Sequence, residues 1–211
     1  MSIPGIEPFA FSPAVPRLSR REDLLNVAAR QFAVRGYHGV TMDEIGAASG
    51  ISGPALYHYF ASKEALLGEM LTAISGHLLA QGQSILTHGL GPRPTLDRLI
   101  LMHATFAVDE PELITVHYRD LPQAAEMDRR QVRRMQTRYV QIWIDTLVRW
   151  RPGFDSGLAS ATVHAVFGLL NSTPYSGRLE RQEMISLLTV LATAAVGGVV
   201  LPQEEMTVGA R

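Results

Sequence analysis

The stretch Thr41–Leu67, TMDEIGAASGISGPALYHYFASKEALL, constrains the fold more than any other part of the chain. Thr41 and Glu44 have the spacing of a capping box, in which each side chain satisfies a backbone N–H at a helix start. Ser49-Gly50 breaks that helix soon afterwards, and Ile51 supplies an apolar plug beside the break. Ser52 opens a second helix with Pro54 in its first turn, where a missing N–H does no harm; it is expected to end near Phe60. Ser62 then caps a longer helix. A helix, a tight turn and a short second helix form the layout that sets one helix in the major groove of DNA.

Upstream, Ser19 and Glu22 repeat the box spacing and predict a helix over 20–35. Leu25, Ala28 and Phe32 share one of its faces. Gly36 is placed to close it in a left-handed conformation. Phe32, Ile45, Ala48, Leu56 and Phe60 are expected on inward faces, with all but Ala48 in the core. Thr41 sits where a hydroxyl, backbone N–H groups and the helix dipole can hold a phosphate. Arg20 and Arg21 can reach a neighbouring phosphate. Lys63, the only lysine in a chain whose other basic residues are arginine, opens the long helix beside the groove.

The run AARQFAVRGYHGVTMDEIGAASGISGPALYHYFASKEALL resembles the N-terminal domain of TetR/AcrR-type transcriptional regulators. The resemblance rests on Phe32, Gly36, Gly39, Thr41, Ile45, Ala48, Gly50, Leu56, Tyr57, Phe60 and Lys63. It implies a helix-turn-helix head, a helical body and a homodimer, with Thr41, Tyr57 and Lys63 on phosphates and bases read from the start of the motif's second helix. The chain departs from the family there. Gly53, Pro54 and Ala55 stand where polar or basic base readers are frequent, and offer only backbone groups or van der Waals contact, for example to a thymine methyl. The expected DNA contacts are Arg20, Arg21, Thr41, Ser52, Gly53, Pro54, Ala55, Tyr57, His58 and Lys63. Sequence reading would rest on Ser52, Tyr57, His58, the arginines of the first helix, or DNA shape. The same departure leaves open a second reading, a helical interaction protein with a degenerate head.

Beyond the head, apolar periodicity predicts helices over 63–83, 95–108, 111–119, 124–151, 156–172 and 181–199, with a Gly/Pro-broken loop over 87–94 and no alternation that would mark a strand. The fold expected is all-α, about nine helices, a three-helix head on a C-terminal bundle. Its divisions are a flexible arm at 1–18, the head at 19–62, a ligand-binding and dimerisation region at 63–202 and a tail at 203–211. Met102, His103, Phe106, Tyr139 and Trp143 lie at helical spacing. Such residues fill a core or line a pocket for an apolar or amphipathic small molecule, and these five are the pocket candidates. The arginine-rich run 128–138 reads as a solvated face or as a mouth for an anionic effector such as an acyl-CoA thioester. Some regulators of the resembled family sense such ligands. Val163, Val166, Phe167, Leu170, Leu187, Leu188, Leu191 and Ala195 are expected at a dimer seam, because half-sites about 34 Å apart need two heads.

Composition sets outer limits. Hydrophobic residues at 46% and charged ones at 18% support a sizeable core. A net charge of −1 neither implies nor excludes a small DNA-reading patch. The absence of cysteine removes disulfides, thiol catalysis and thiolate metal sites, and fits a reducing cytoplasm. The proline-rich N-terminus lacks the pattern of a signal peptide, and no run of about 18 apolar residues predicts a membrane span. The histidines form no HExxH, and there is no nucleophile elbow or phosphate loop, so no enzyme, metal site or cofactor is expected. The function expected is a cytoplasmic, ligand-responsive repressor that leaves a palindromic operator on double-stranded DNA when an effector binds. The helix after Ser62 would link Leu66 to the pocket. An activator fits the same residues.

Overall fold

Ser19 and Thr41 both complete their capping boxes, with Glu22 and Glu44, and start α1 (Arg20–Arg35) and α2 (Met42–Ala48) where the sequence predicts. Ser52 and Ser62 accept the backbone N–H groups of Ala55 and Ala65 and start α3 (Gly53–Leu56) and α4 (Lys63–Thr87). The chain continues through α5 (Pro92–Asp109), α6 (Pro111–Asp120), a 3-10 turn at Leu121–Gln123, α7 (Glu126–Trp150), α8 (Ser156–Leu170), a four-residue α9 (Thr173–Ser176) and α10 (Arg181–Gly198). The computed structural model describes residues 19–176 and 178–198, which contain no strand. The expected arm at 1–18 and tail at 203–211 lie outside them. No helix among the described residues is long and apolar enough to cross a membrane.

Several boundaries differ from expectation for local reasons. The helix of α3 stops at Leu56 and continues as a turn to Phe60, whose N–H still reaches Leu56 O at 3.1 Å. The loop between α4 and α5 shrinks to residues 88–91, because Pro92 and Pro94 are accommodated in the first turn of α5. Gly36 closes α1 at φ 78, ψ 160. This is not the left-handed helical region but the extended positive-φ region that glycine alone occupies readily. Ala48 is exposed, and Met42 and Gly46 join Ile45 on the inner side of α2.

The apolar core forms two clusters. The first begins in the head with Phe32, Ile45, Leu56 and Phe60, and runs without a break through Leu66, Leu67, Met70 and Leu71 of α4 to Val116 of α6 and Val132 of α7. The second joins Leu79 and Ile85 of α4 to α5, to Trp143 and Leu147 of α7, to α8 and to α10. The head therefore shares a core with the near half of the body, and the division falls along α4. There α4 lies against α7 at small residues: a Cβ added at Gly82 would come within 3.1 Å of the Tyr139 ring.

Candidate nucleic-acid interface and body cavity

On and around α3, Ser52, Pro54, Tyr57 and His58 are exposed and Ala55 is half-buried. Gly53 is buried, because it is where α3 meets α2. A Cβ there would lie 1.5 Å from Asp43 Oδ1 and 3.1 Å from Asp43 Cα. Its missing side chain thus serves the seating of one helix on the other, not the outer face. Thr41 is exposed at the start of α2. Its hydroxyl accepts the Glu44 N–H at 3.2 Å and donates to the Glu44 carboxylate at 2.9 Å. The Thr41 backbone N–H, then the Arg35 guanidinium at 2.6 Å, hold the Glu44 carboxyl at about 2, so it stays ionised.

The cations expected on phosphates already have work inside the head. Lys63 Nζ donates to Tyr37 O at 2.8 Å and Val40 O at 2.7 Å, and sits 4.3 Å above the Tyr37 ring. It fastens the loop between α1 and α2 to the start of α4, leaving one of its three N–H donors. Arg21 grips both Glu69 oxygens at 2.5 Å, donates to Tyr59 O at 2.6 Å and covers the Phe60 ring. Arg20 pairs with Asp23 and donates to Ser49 O at 2.6 Å, at the end of α2. Both arginines remain at the surface.

In the body, α4, α5, α6, α7 and α8 enclose a cavity of about 710 Å³, within the usual range for small-molecule pockets. Of the expected residues, His103, Phe106 and Tyr139 line it. Met102 and Trp143 do not; both are buried in the core behind it. Sequence reading missed Ser75 and Leu78 of α4, the inner face of α6 and Asn171 at the end of α8, whereas Arg133 and Gln136 of α7 belong to the run 128–138 that it read as a solvated face or an effector mouth. It also misplaced Phe167. Expected at a dimer seam, Phe167 instead stacks on His103 at 5.0 Å and on Tyr139 at 5.7 Å, with Trp143 edge-on behind. Its bulk among small neighbours on α8 was the signal available.

Neutral groups dominate the polar part of the wall. Tyr139 OH donates to His103 Nδ1 at 3.0 Å, His103 Nε2 donates to Asn171 Oδ1 at 3.0 Å, and Asn171 Nδ2 donates to Tyr118 OH at 3.2 Å. Burial lowers His103 to about 4, although the Asn171 bond works in the opposite direction; the imidazole is neutral. Burial likewise pushes the Tyr139 phenol up. The Ser75 hydroxyl is buried in the wall with no hydrogen-bond partner among the described residues. Arg133, at the exposed rim, is the one Arg, Lys, Asp or Glu among the described residues that line the cavity.

The expected seam also needs correction. Val163, Val166, Leu170 and Leu188 are at most 3% exposed within their own chain, because the inner stripes of α8 and α10 pack on each other and on α5 and α7. Ala195 is half-buried. Leu187 and Leu191 do face outward, at 42% and 44% exposure, together with Val190. On α8, Ala161 and Ala165 are exposed, and Gly168, also exposed, borders the cavity.

A family profile described as "Bacterial regulatory proteins, tetR family" matches residues 24–70. Over 151 residues the chain is 34% identical to the HTH-type transcriptional repressor KstR2 of Mycobacterium tuberculosis, a match spanning 66% of this chain and 74% of that protein. The repressor KstR2 of Rhodococcus jostii is 31% identical over 130 residues, 61% of this chain and 63% of the relative. The solved structure of the ketosteroid transcriptional regulator KstR2 of Mycobacterium tuberculosis superposes with a TM-score of 0.74 at 23% identity, over 91% of this chain and 100% of that one. AibR, solved in complex with isovaleryl coenzyme A and operator DNA, superposes with a TM-score of 0.68 at 17% identity, over 82% and 97% of the two chains.

Proposed function

The chain belongs to the TetR family of bacterial regulatory proteins, transcriptional regulators that carry a DNA-binding helix-turn-helix, and from this we propose that it is a homodimeric, cytoplasmic repressor released from a palindromic operator by a small apolar or amphipathic effector. The observation that carries the effector half of this reading is the cavity of about 710 Å³ with aromatic walls, neutral donors inside and one arginine at its rim. An acyl-CoA thioester suits that division. Its acyl part would lie against Phe106, Tyr139 and Phe167, and a phosphate would meet the Arg133 guanidinium, whose fork matches an oxyanion. The isovaleryl coenzyme A held by AibR, and the likeness to KstR2, a ketosteroid transcriptional regulator, support a lipid or acyl thioester over a polar metabolite.

On the DNA side, Ser52, Pro54, Tyr57 and His58 form the reading surface, while Thr41, Arg20 and the remaining donor of Lys63 approach phosphates. Base contacts specify and phosphate contacts position. The outward faces of α8 and α10, with Leu187, Val190 and Leu191, form a four-helix seam with a second copy. Release is a population shift. The effector must bind the released arrangement more tightly than the bound one, and a hundredfold preference corresponds to about 2.7 kcal/mol. The helix α4 connects Lys63 at the head to Ile74, Ser75 and Leu78 in the cavity wall.

The test is selection of bound duplexes from a random pool at physiological salt, with the mass of the complex recorded, followed by titration with isovaleryl-CoA and stearoyl-CoA. A palindrome carrying two chains and released by either thioester is the expected result. Release by free fatty acid but by neither thioester removes the CoA part of the proposal. No duplex bound even at low salt overturns the repressor reading in favour of a helical interaction protein with a degenerate head.

A further inference from the structure

We propose that Arg119 is a positioning residue for the DNA-reading head, and that the hydrogen-bonded chain Tyr139–His103–Asn171–Tyr118 in the cavity wall sets its place. The regulatory meaning rests on the cavity being the effector site; the positioning of α1 by Arg119 does not. Helix α6 lies between the cavity and α1. On one side His117 and Tyr118 line the cavity. The next residue reaches the other way: Arg119 donates to Ala33 O at 3.1 Å and to Phe32 O, carbonyls in the last turn of α1. Asp120, buried beside it, holds the same guanidinium through contacts of 3.0 Å from both of its oxygens. The cation is thus oriented by its own helix, and it meets the helix end whose dipole favours positive charge. A few residues on, Gln123 Oε1 meets His38 Nε2 at 3.1 Å, a second tie to the head.

On the cavity side α6 is tethered to the facing walls. Gln136 Nε2 donates to His117 Nε2 at 2.6 Å, and Asn171 donates to Tyr118. Asn171 also accepts from His103, which accepts from Tyr139. An occupant that takes the Asn171 N–H now given to Tyr118, or that displaces the Phe167 ring stacked on His103, rearranges this chain. Tyr118 and Arg119 are adjacent on one helix, so α6 carries the change to the clamp on α1. Packed helices respond to such shifts by moving between discrete arrangements, which makes a small displacement consequential.

The experiment needs no effector. Amide exchange at residues 32–36 is measured in the wild type, in Arg119→Gln, in Asn171→Ala and in the double variant, together with affinity for a duplex recovered by selection with the wild type. Arg119→Gln and Asn171→Ala are each expected to speed exchange at 32–36 and to weaken duplex binding by up to about tenfold, the scale of coupling between distinct sites. Exchange in α10 stays unchanged. The double variant is expected to be no worse than Arg119→Gln alone, because Asn171 acts through Arg119. Arg119→Lys, which keeps the charge beside Asp120 but loses the fork, falls between and covers the case in which the glutamine variant does not fold. Additive effects, or an Asn171→Ala variant with unaltered exchange at 32–36, overturn the chain. Unaltered exchange in both Arg119 variants overturns the positioning role. If the wild type selects no duplex, the repressor reading fails separately, and the exchange pattern still decides this proposal.

Discussion

The head and the body use polar side chains in opposite ways. In the head, Lys63, Arg21 and Arg20 each donate to main-chain carbonyls of another element. In the body, the cavity groups bond to one another, side chain to side chain, through neutral partners such as His103, Tyr139 and Asn171. Hydrogen bonds involving a charged group contribute about 1.5–3 kcal/mol, and neutral ones about 0.5–1.5 kcal/mol. The head is therefore held in one shape, as a fixed DNA surface requires. The body keeps a network that a ligand can rearrange at small cost. Arg119 stands where the two styles meet, a charged clamp on α1 attached to the neutral network.

The largest expected effect tests whether the head depends on the outward face of the body. Leu187→Asp with Leu191→Asp should give monomers on light scattering and weaken operator binding by about a hundredfold or more, because each head then binds alone. An unaltered dimer would put the seam elsewhere. Leu188 is unsuitable for this test, since it is buried within its own chain.

Phe32→Ala comes next, at about 3–5 kcal/mol of destabilisation. Phe32 belongs to the cluster that crosses from head to body, so circular dichroism and tryptophan fluorescence should report one lowered transition. A separate early melt of the head, with the Trp143 signal unmoved, would break the claim of a shared core.

Between pH 7 and pH 5 the body should carry a marked pH dependence. Burial depresses His103 and His77 to about 4, against an ordinary value of 6.5. Both are neutral in the folded chain where the unfolded chain binds protons. Their contribution is complete above pH 6.5 and is lost as pH falls from 6.5 towards 4, on the order of 3 kcal/mol for His103. Urea denaturation at pH 7 and pH 5 measures it, and His103→Asn should flatten the difference. An equal slope in that variant would remove His103 as the cause.

The smallest effect sharpens the head's side of the comparison. Lys63→Gln should destabilise the head by about 1.5–3 kcal/mol through its two carbonyl bonds. It should also weaken binding to all duplexes alike. A change in preferred site at unchanged affinity would contradict a phosphate and loop-fastening role.

Much of the head was legible because its signals are local. A Ser or Thr three residues before a Glu makes a capping box from backbone geometry within one turn, and both predicted boxes formed. The end of α3 and the conformation of Gly36 were misread, since those depend on how α3 sits on α2 and how the chain leaves α1. The cavity was legible only in outline. Tyr139 and Trp143 are both inward-facing residues of α7 with the same helical periodicity, yet one borders the void and the other is walled in.

The sequence by itself determined the all-helical fold and the helix-turn-helix, because capping, breakers and apolar period act over a few residues; the family came from the resemblance of residues 28–67. Tertiary structure alone decided that Phe167 faces a cavity while Val163 and Val166 fill the core, that Lys63 and Arg21 tie the head to α4, and that Arg119 joins α6 to α1. Periodicity says that a side chain points inward, but what it meets there depends on elements distant in the chain. Ser75 and Asn171 lie 96 positions apart and share one wall.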